Sequence, residues 1–360
     1  MRPAPVAVIG AGWAGMAAAV MLCAEGIPVI VFEASRSLGG RARRVLVDGF
    51  ELDNGQHILV GAYRETLAMM RRVGADADAL LLRVPLELCF GRAFHLRAPR
   101  LAYPFNLIAG LLFARGLALT QAPAALRFVS RLKAAGFRIE PDRSVVSLLE
   151  AHGQRDALAR FLWQPLCVSA LNTPPERASA QVFANVIRDG FTGARGNSDL
   201  LLPKVDLGRI FPDPAAAFVE RHGGTIELGA AVRRISRDQD GFRLDDRPQR
   251  FGCVILACAP QHVPALLAEF TELESTRAAI ETFQYEPITT CYLQYPQTVS
   301  LPAPMLGLSG GLVQWAFDRG QTSGRRGLIA AVVSSSGAHE ELAQEELARR
   351  AHEEISLATG

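Results

Sequence analysis

The chain opens on a short apolar run, Val6 to Ile9, followed by Gly10-Ala11-Gly12-Trp13-Ala14-Gly15 and an Ala-rich stretch that reaches Glu25. Four apolar residues stopped by a glycine turn predict a buried strand, and the stretch behind it suits a helix closed by Gly26 and Pro28. Val29 to Phe32 predicts a second strand, ending in Glu33. Residues 58 to 73 read as a helix with Leu59, Leu67, Met70 and Val73 on one side, and Val84 to Leu96 is strand-like. From Leu101 to Ala114 come 14 uncharged residues, and 11 more lie between Arg115 and Arg127. Pro214 to Arg221 predicts a helix ended by Gly223-Gly224. Strands are predicted at Thr225–Leu228, Ala231–Ile235, Phe242–Leu244 and Cys253–Ala257, with a turn around Asp238 to Gly241. Thr289 to Tyr295 and Leu328 to Ser334 are two further strands, and 339 to 355 is helix-like.

The first of these segments carries chemistry. Strand, G-x-G-x-x-G, helix, strand and an acid roughly 20 residues on is the order of a dinucleotide-binding unit. Gly10 permits the tight turn, Gly12 lets backbone approach a pyrophosphate, and Gly15 allows close helix-to-strand packing. Trp13 begins the helix whose free N–H groups face the anion. Glu33 is placed to accept hydrogen bonds from an adenosine ribose, which favours FAD or NAD over NADP, although Arg36 nearby keeps NADP open.

At 360 residues the chain is long enough for two to three domains. A composition 49% hydrophobic and 21% charged is that of a folded globular protein. The net charge of +2 leaves no basis for a nucleic-acid partner. Six cysteines without a C-x-x-C pair read as reduced thiols, hence a cytoplasmic protein, and seven scattered histidines give no metal site. The 22 uncharged residues from Pro3 to Ala24 imitate a spanning segment, but their nucleotide-binding glycines argue against it.

Ser37-Leu38-Gly39-Gly40-Arg41-Ala42-Arg43, directly after the ribose acid, resembles the second motif of the flavoprotein superfamily of amine oxidases and phytoene desaturases. The resemblance favours FAD and places Gly40 and Arg41 against its phosphates and ribityl chain. It also puts Gly55, Gln56 and His57 beside the flavin and gives Val232 backbone contact with adenine. The implied architecture is an α/β, glutathione-reductase-2-like flavoprotein: a Rossmann-type FAD-binding domain, discontinuous over 1–79 and 204–265, with an α+β substrate domain over 80–203 and 266–360.

Three blocks are more specific. Asp53-Asn54-Gly55-Gln56-His57 running on to Glu65, Trp163-Gln164-Pro165-Leu166-Cys167 with Ala170-Leu171-Asn172-Thr173-Pro174, and Leu201 to Leu207 with Asp213-Pro214-Ala215 resemble the squalene-associated FAD-dependent desaturases, the hydroxysqualene dehydroxylases of bacterial hopanoid biosynthesis. The superfamily closes its FAD site with a C-terminal Gly-Asp motif. This chain has no Gly-Asp dipeptide, so a truncated chain that holds FAD weakly is expected. That leaves a non-catalytic remnant open as a rival.

The resemblance implies reductive removal of an allylic hydroxyl from an apolar isoprenoid, with an unknown donor reducing FAD. An oxidative carotenoid-type desaturase has the same fold and cofactor, and a flavin amine oxidase is a more distant alternative. His57 is the first candidate proton donor, with a plain hydrogen-bonding role equally open, and Asp53 is the second if burial raises its pKa. Tyr63 and Trp163 are candidates to line the substrate pocket, against ordinary core packing. The apolar 101–126 region reads either as a buried helix pair or as a surface resting on membrane lipid, the latter on the inner face of the cytoplasmic membrane.

Overall fold

The computed structural model describes residues 4–47, 49–118, 120–239 and 241–359. Asp240 of the expected turn and Leu119 of the apolar region lie outside them. The chain forms two compact units: Met1–Asn54, Glu65–Leu80 and Val205–Tyr285 make the first, and Gly55–Arg64, Leu81–Lys204 and Glu286–Gly360 the second. Residues 266–285 thus fall in the first unit rather than with the expected substrate domain, and 55–64 in the second.

The first unit is built on a four-stranded parallel sheet in the order Thr225–Leu228, Val29–Glu33, Val6–Ile9, Cys253–Leu256. Val6–Ile9 is buried along its whole length, which is why its sequence is continuously apolar rather than alternating. Its connection to Val29–Glu33 is the helix Trp13–Ala24, whose Met16, Ala19, Val20 and Cys23 are buried. Helix Pro212–Arg221 packs beside it, where the Cys23 thiol meets the Val219 carbonyl at 3.9 Å. Two of the four strands come from more than 190 positions later in the chain than Glu33, so the nucleotide half is discontinuous. An antiparallel sheet of Ile235–Asp238, Gly241–Leu244 and Arg250–Phe251 and a hairpin of Arg44–Val47 with Phe50–Asp53 complete this unit.

The second unit combines an antiparallel sheet, in the order Ile288–Gln294, Leu328–Ser334, Trp315–Asp318, Met305–Gly307, with a small sheet of Leu59–Val60, Leu200–Pro203 and Leu81–Val84. Helices Phe105–Leu112, Gln121–Ala134, Val145–Ala151, Gln164–Leu171 and Ala180–Phe191 wrap a core that includes Phe94, Phe128, Trp163 and Phe183. Helix Gln344–Thr359 lays Leu347, Ala351 and Ile355 into a second cluster with Ile329, Ala331 and Val333.

Three local expectations change. The helix expected over 58–73 starts only at Arg64, because Leu59 and Val60 pair instead with Leu201 and Leu200. Ala231 to Arg234 is not strand. Pairing begins at Ile235, and the preceding backbone is held by the N–H groups of Arg233 and Arg234 on the Asp245 carboxylate. The strand-like stretch from Val84 to Leu96 is two strands, Glu87–Phe90 and Phe94–Arg97, folded on each other, behind the end of a third. Among the described residues no helix is long and apolar enough to cross a membrane.

Candidate cofactor and active site

The glycine turn folds as its spacing requires. Helix Trp13–Ala24 begins with Gly12 as its cap, so no side chain satisfies its first N–H groups, and no acid stands in its first turn. A Cβ on Gly15 would lie 1.9 Å from the Gly10 carbonyl oxygen, so the helix can approach the strand only with glycine there. The Gly39-Gly40 turn returns alongside: the Gly39 N–H donates to the Ala11 carbonyl at 2.9 Å. Gly40 has φ 59°, and a Cβ on it would meet the Gly12 Cα at 3.2 Å. A Cβ on Gly12 would find only the Gly40 Cα, at 3.9 Å, leaving the remaining side of the turn open to an approaching group.

Glu33 ends its strand with both carboxylate oxygens in use. Oε2 accepts from the Ala11 N–H at 2.7 Å and Oε1 from the Ser35 N–H at 2.8 Å. The acid expected to contact a ribose therefore also pins the glycine turn to the second strand, a task its spacing alone does not reveal. Arg41 is exposed and makes no ion pair among the described residues. The Trp13 ring rests on Phe211, with centroids 5.2 Å apart, and its indole Nε1 is buried without a hydrogen-bond partner among the described residues. Val232 is half-buried beside the cluster of Phe32, Ile235 and Phe251. These residues all belong to the first unit.

Gly55, Gln56 and His57 belong to the second unit, and two distant segments hold them. The Gln56 N–H donates to the Thr290 hydroxyl at 3.1 Å, and its side-chain amide donates to the His57 carbonyl at 2.8 Å. Its Oε1 accepts from the Arg319 guanidinium at 3.2 Å, and Arg319, itself buried, also reaches the Pro203 carbonyl. The His57 Nδ1 is 2.7 Å from the Gly55 carbonyl oxygen. A carbonyl can only accept, so Nδ1 carries the proton and Nε2 is the ring atom left to hold or pass another. Thr290 and Arg319 stand 234 and 263 positions from Gln56, and nothing in the local sequence around 56 points to them.

Other candidates turn out to be braces. Asp53 is buried in the first unit and its Oδ1 accepts from the Leu207 N–H at 2.8 Å, which fixes the start of the short helix Leu207–Ile210. That contact uses Oδ1 as an acceptor. Trp163 lies in the core of the second unit: its indole donates to Gln154 Oε1 at 2.8 Å and its ring sits edge-on to Phe128. Tyr63, by contrast, is half exposed. Burial pushes the Cys167 thiol up to about 12, with the Glu176 charge adding to it, so this cysteine is an inert core residue. Asn172, in a left-handed conformation after helix Gln164–Leu171, donates to the carbonyls of Glu286 and Pro287 and accepts from the Ser335 N–H. The central block thus ties helices to the antiparallel sheet.

The flavin containing amine oxidoreductase family matches residues 13–360. The chain belongs to that family. It is an FAD-dependent oxidoreductase. Among relatives, it is 26% identical over 325 residues to a hydroxysqualene dehydroxylase of Sinorhizobium fredii, covering 88% of this chain and 73% of that one. Against a hydroxysqualene dehydroxylase of Zymomonas mobilis it is 27% identical, covering 97% and 80%. A probable zeta-carotene desaturase of Synechococcus elongatus is 24% identical over 64% of this chain and 51% of its own. Its fold is that of an oxidoreductase from Methanosarcina mazei, with a TM-score of 0.72 at 18% identity and coverage of 99% and 84%.

The residues of the first unit fit FAD on their own evidence. The uncapped helix start and open glycine turn suit a pyrophosphate, and the buried Trp13 N–H is a donor lacking an acceptor.

Proposed function

We propose that this flavoprotein removes the hydroxyl of an apolar allylic isoprenoid alcohol reductively, converting hydroxysqualene to squalene. The observation that carries the reading is the likeness to hydroxysqualene dehydroxylases over most of the chain. Bound FAD, once reduced, supplies the hydride that replaces the hydroxyl. The leaving oxygen needs one proton to depart as water. His57 is assigned to hold that proton at Nε2, while its Nδ1–H is anchored on Gly55 and the neighbouring Gln56 is braced by Thr290 and Arg319. Gly10, Gly12, Trp13, Gly15, Glu33, Gly40, Arg41 and Val232 hold the ADP half of the cofactor, and Gly55, Gln56 and His57 serve its flavin half.

An isoprenoid of this kind is dissolved in membrane, and the chain has a surface suited to reach it. Leu101, Phe105, Leu112 and Phe113 are exposed around helix Phe105–Leu112, Phe113 to 86%. Residues 88–127 contain five arginines and no Asp or Glu. Apolar tips within a basic stretch are the composition of a peripheral contact with anionic lipid.

Anaerobic incubation of reduced, FAD-loaded protein with hydroxysqualene, phytoene and an amine in parallel tests the reading. Squalene formed from hydroxysqualene alone is the expected result. Oxidised enzyme that desaturates phytoene, with no squalene formed by the reduced enzyme, would replace it with the carotenoid reading that the desaturase likeness favours.

A further inference from the structure

A second cluster of charge lies in the helical part of the second unit, away from the glycine turn and from residues 55–57 in sequence. A surface cavity of about 290 Å³ is lined by Arg131, Arg138, Arg143 and His152, with Glu140 and Ile139 among the remaining walls. Arg131 is in the last turn of helix Gln121–Ala134, Arg143 precedes helix Val145–Ala151, and His152 follows that helix. Glu140 is spoken for by Arg138 at 2.7 Å. Asp142 accepts from the Ser179 hydroxyl and the Gln181 N–H at the start of helix Ala180–Phe191. Among the described residues Arg131 and Arg143 have no carboxylate partner. The His152 ring lies 5.3 Å from the Phe128 ring, and its Nδ1 is buried with no hydrogen-bond partner among the described residues.

Two exposed guanidiniums without a carboxylate partner among the described residues line one cavity beside a partly buried imidazole, which gathers positive charge there without a counter-ion. Burial, then Arg131 and Arg143, push the His152 imidazole below its ordinary range. A compact anion with several acceptor oxygens supplies that counter-charge, since guanidinium forks match its geometry. We propose that the cavity lined by Arg131, Arg143 and His152 is a binding site for a phosphate-type anion, supplied by a free phosphate or by a phospholipid headgroup. The site is independent of the substrate reading above.

The test uses protein saturated with FAD, so that the glycine turn is filled, and compares wild type with R131Q/R143Q and with K133Q, whose lysine is on the same helix but does not line the cavity. Calorimetric titration with inorganic phosphate and with pyrophosphate reads the soluble source. Sedimentation with phosphatidylglycerol against phosphatidylcholine vesicles reads the headgroup. Loss of about tenfold or more in affinity for either probe in R131Q/R143Q, with K133Q like wild type, supports the site and names its source. Wild type that binds neither probe, or equal binding by wild type and R131Q/R143Q, overturns it. Equal unfolding midpoints of the three proteins without anion establish that the comparison is between folded chains.

Discussion

The carboxylate of Glu33 accepts the backbone N–H of Ala11 at 2.7 Å, joining the end of the second strand to the middle of the glycine turn 22 residues earlier. One side chain thereby positions the turn, besides the ribose contact proposed for it. Glu33→Ala and Glu33→Gln should both weaken FAD binding, read by flavin fluorescence titration. The amide sets an NH₂ where a backbone N–H needs an acceptor, so each variant loses charged hydrogen bonds of about 1.5–3 kcal/mol. The apoprotein should also melt earlier. An unchanged apoprotein midpoint would mean that the contact with Ala11 is idle and that only a ribose contact was lost.

His57→Ala should lower turnover of hydroxysqualene about 100-fold or more, the scale of a lost general acid, while flavin content per chain stays that of the unaltered protein. Retained turnover with a lowered flavin content would reassign His57 to cofactor binding.

Trp163 is committed to Gln154, which in turn donates to the carbonyls of Ala124 and His152. Trp163→Phe strands the Gln154 oxygen in the core and should cost about 1–3 kcal/mol of stability in a denaturant titration. KM for the substrate should not move. A raised KM at wild-type stability would return Trp163 to the substrate pocket.

The lipid surface proposed above does not include every apolar residue of its segment. Leu111 is 9% exposed and packs in the core, whereas Phe105, Leu112 and Phe113 project outward. F105S/L112S/F113S should release the protein from anionic liposomes with its flavin intact. Leu111→Ala should instead destabilise the fold by about 2–5 kcal/mol. Equal sedimentation of wild type and the triple variant would remove the membrane from the proposal.

Asp318 caps the short helix that carries Arg319, with Oδ1 accepting from the N–H groups of Gly320 and Gln321. Burial alone would raise this carboxyl, but the Ser300 hydroxyl, the Gln321 amide and the Leu301 N–H hold it below its ordinary range. A depressed native pKa adds stability above the unfolded value of about 4, and that stability is lost as pH falls through the native value. Asp318→Asn should therefore be less stable than wild type at pH 7, with the gap closing towards pH 3 in thermal melts. A gap that does not change with pH would mean the charge contributes nothing.

What the sequence by itself determined is whatever local physics dictates. The strand Val6–Ile9, the turn Gly10 to Gly15, the helix behind it and the acid Glu33 were legible because each depends on neighbours within one βαβ unit, where only glycine tolerates the approach of backbone to backbone. The same holds for Leu328–Ser334, whose β-branched and apolar residues fit a buried strand, and for Thr225–Leu228, an edge strand bounded by Gly223-Gly224 and Gly229. Tertiary structure decided the rest. Leu59 and Val60 follow a helical spacing, yet they pair with Leu201 and Leu200, since a ladder supplied from 140 positions away outweighs local propensity. Asp53 and Trp163 are chemically capable side chains, and only their partners Leu207 and Gln154 show them to be braces. Thr290 and Arg319 carry no motif of their own. They matter because the fold brings a sheet strand and a capped helix to Gln56, and hydrogen bonds across 234 and 263 positions leave no periodic trace in a sequence.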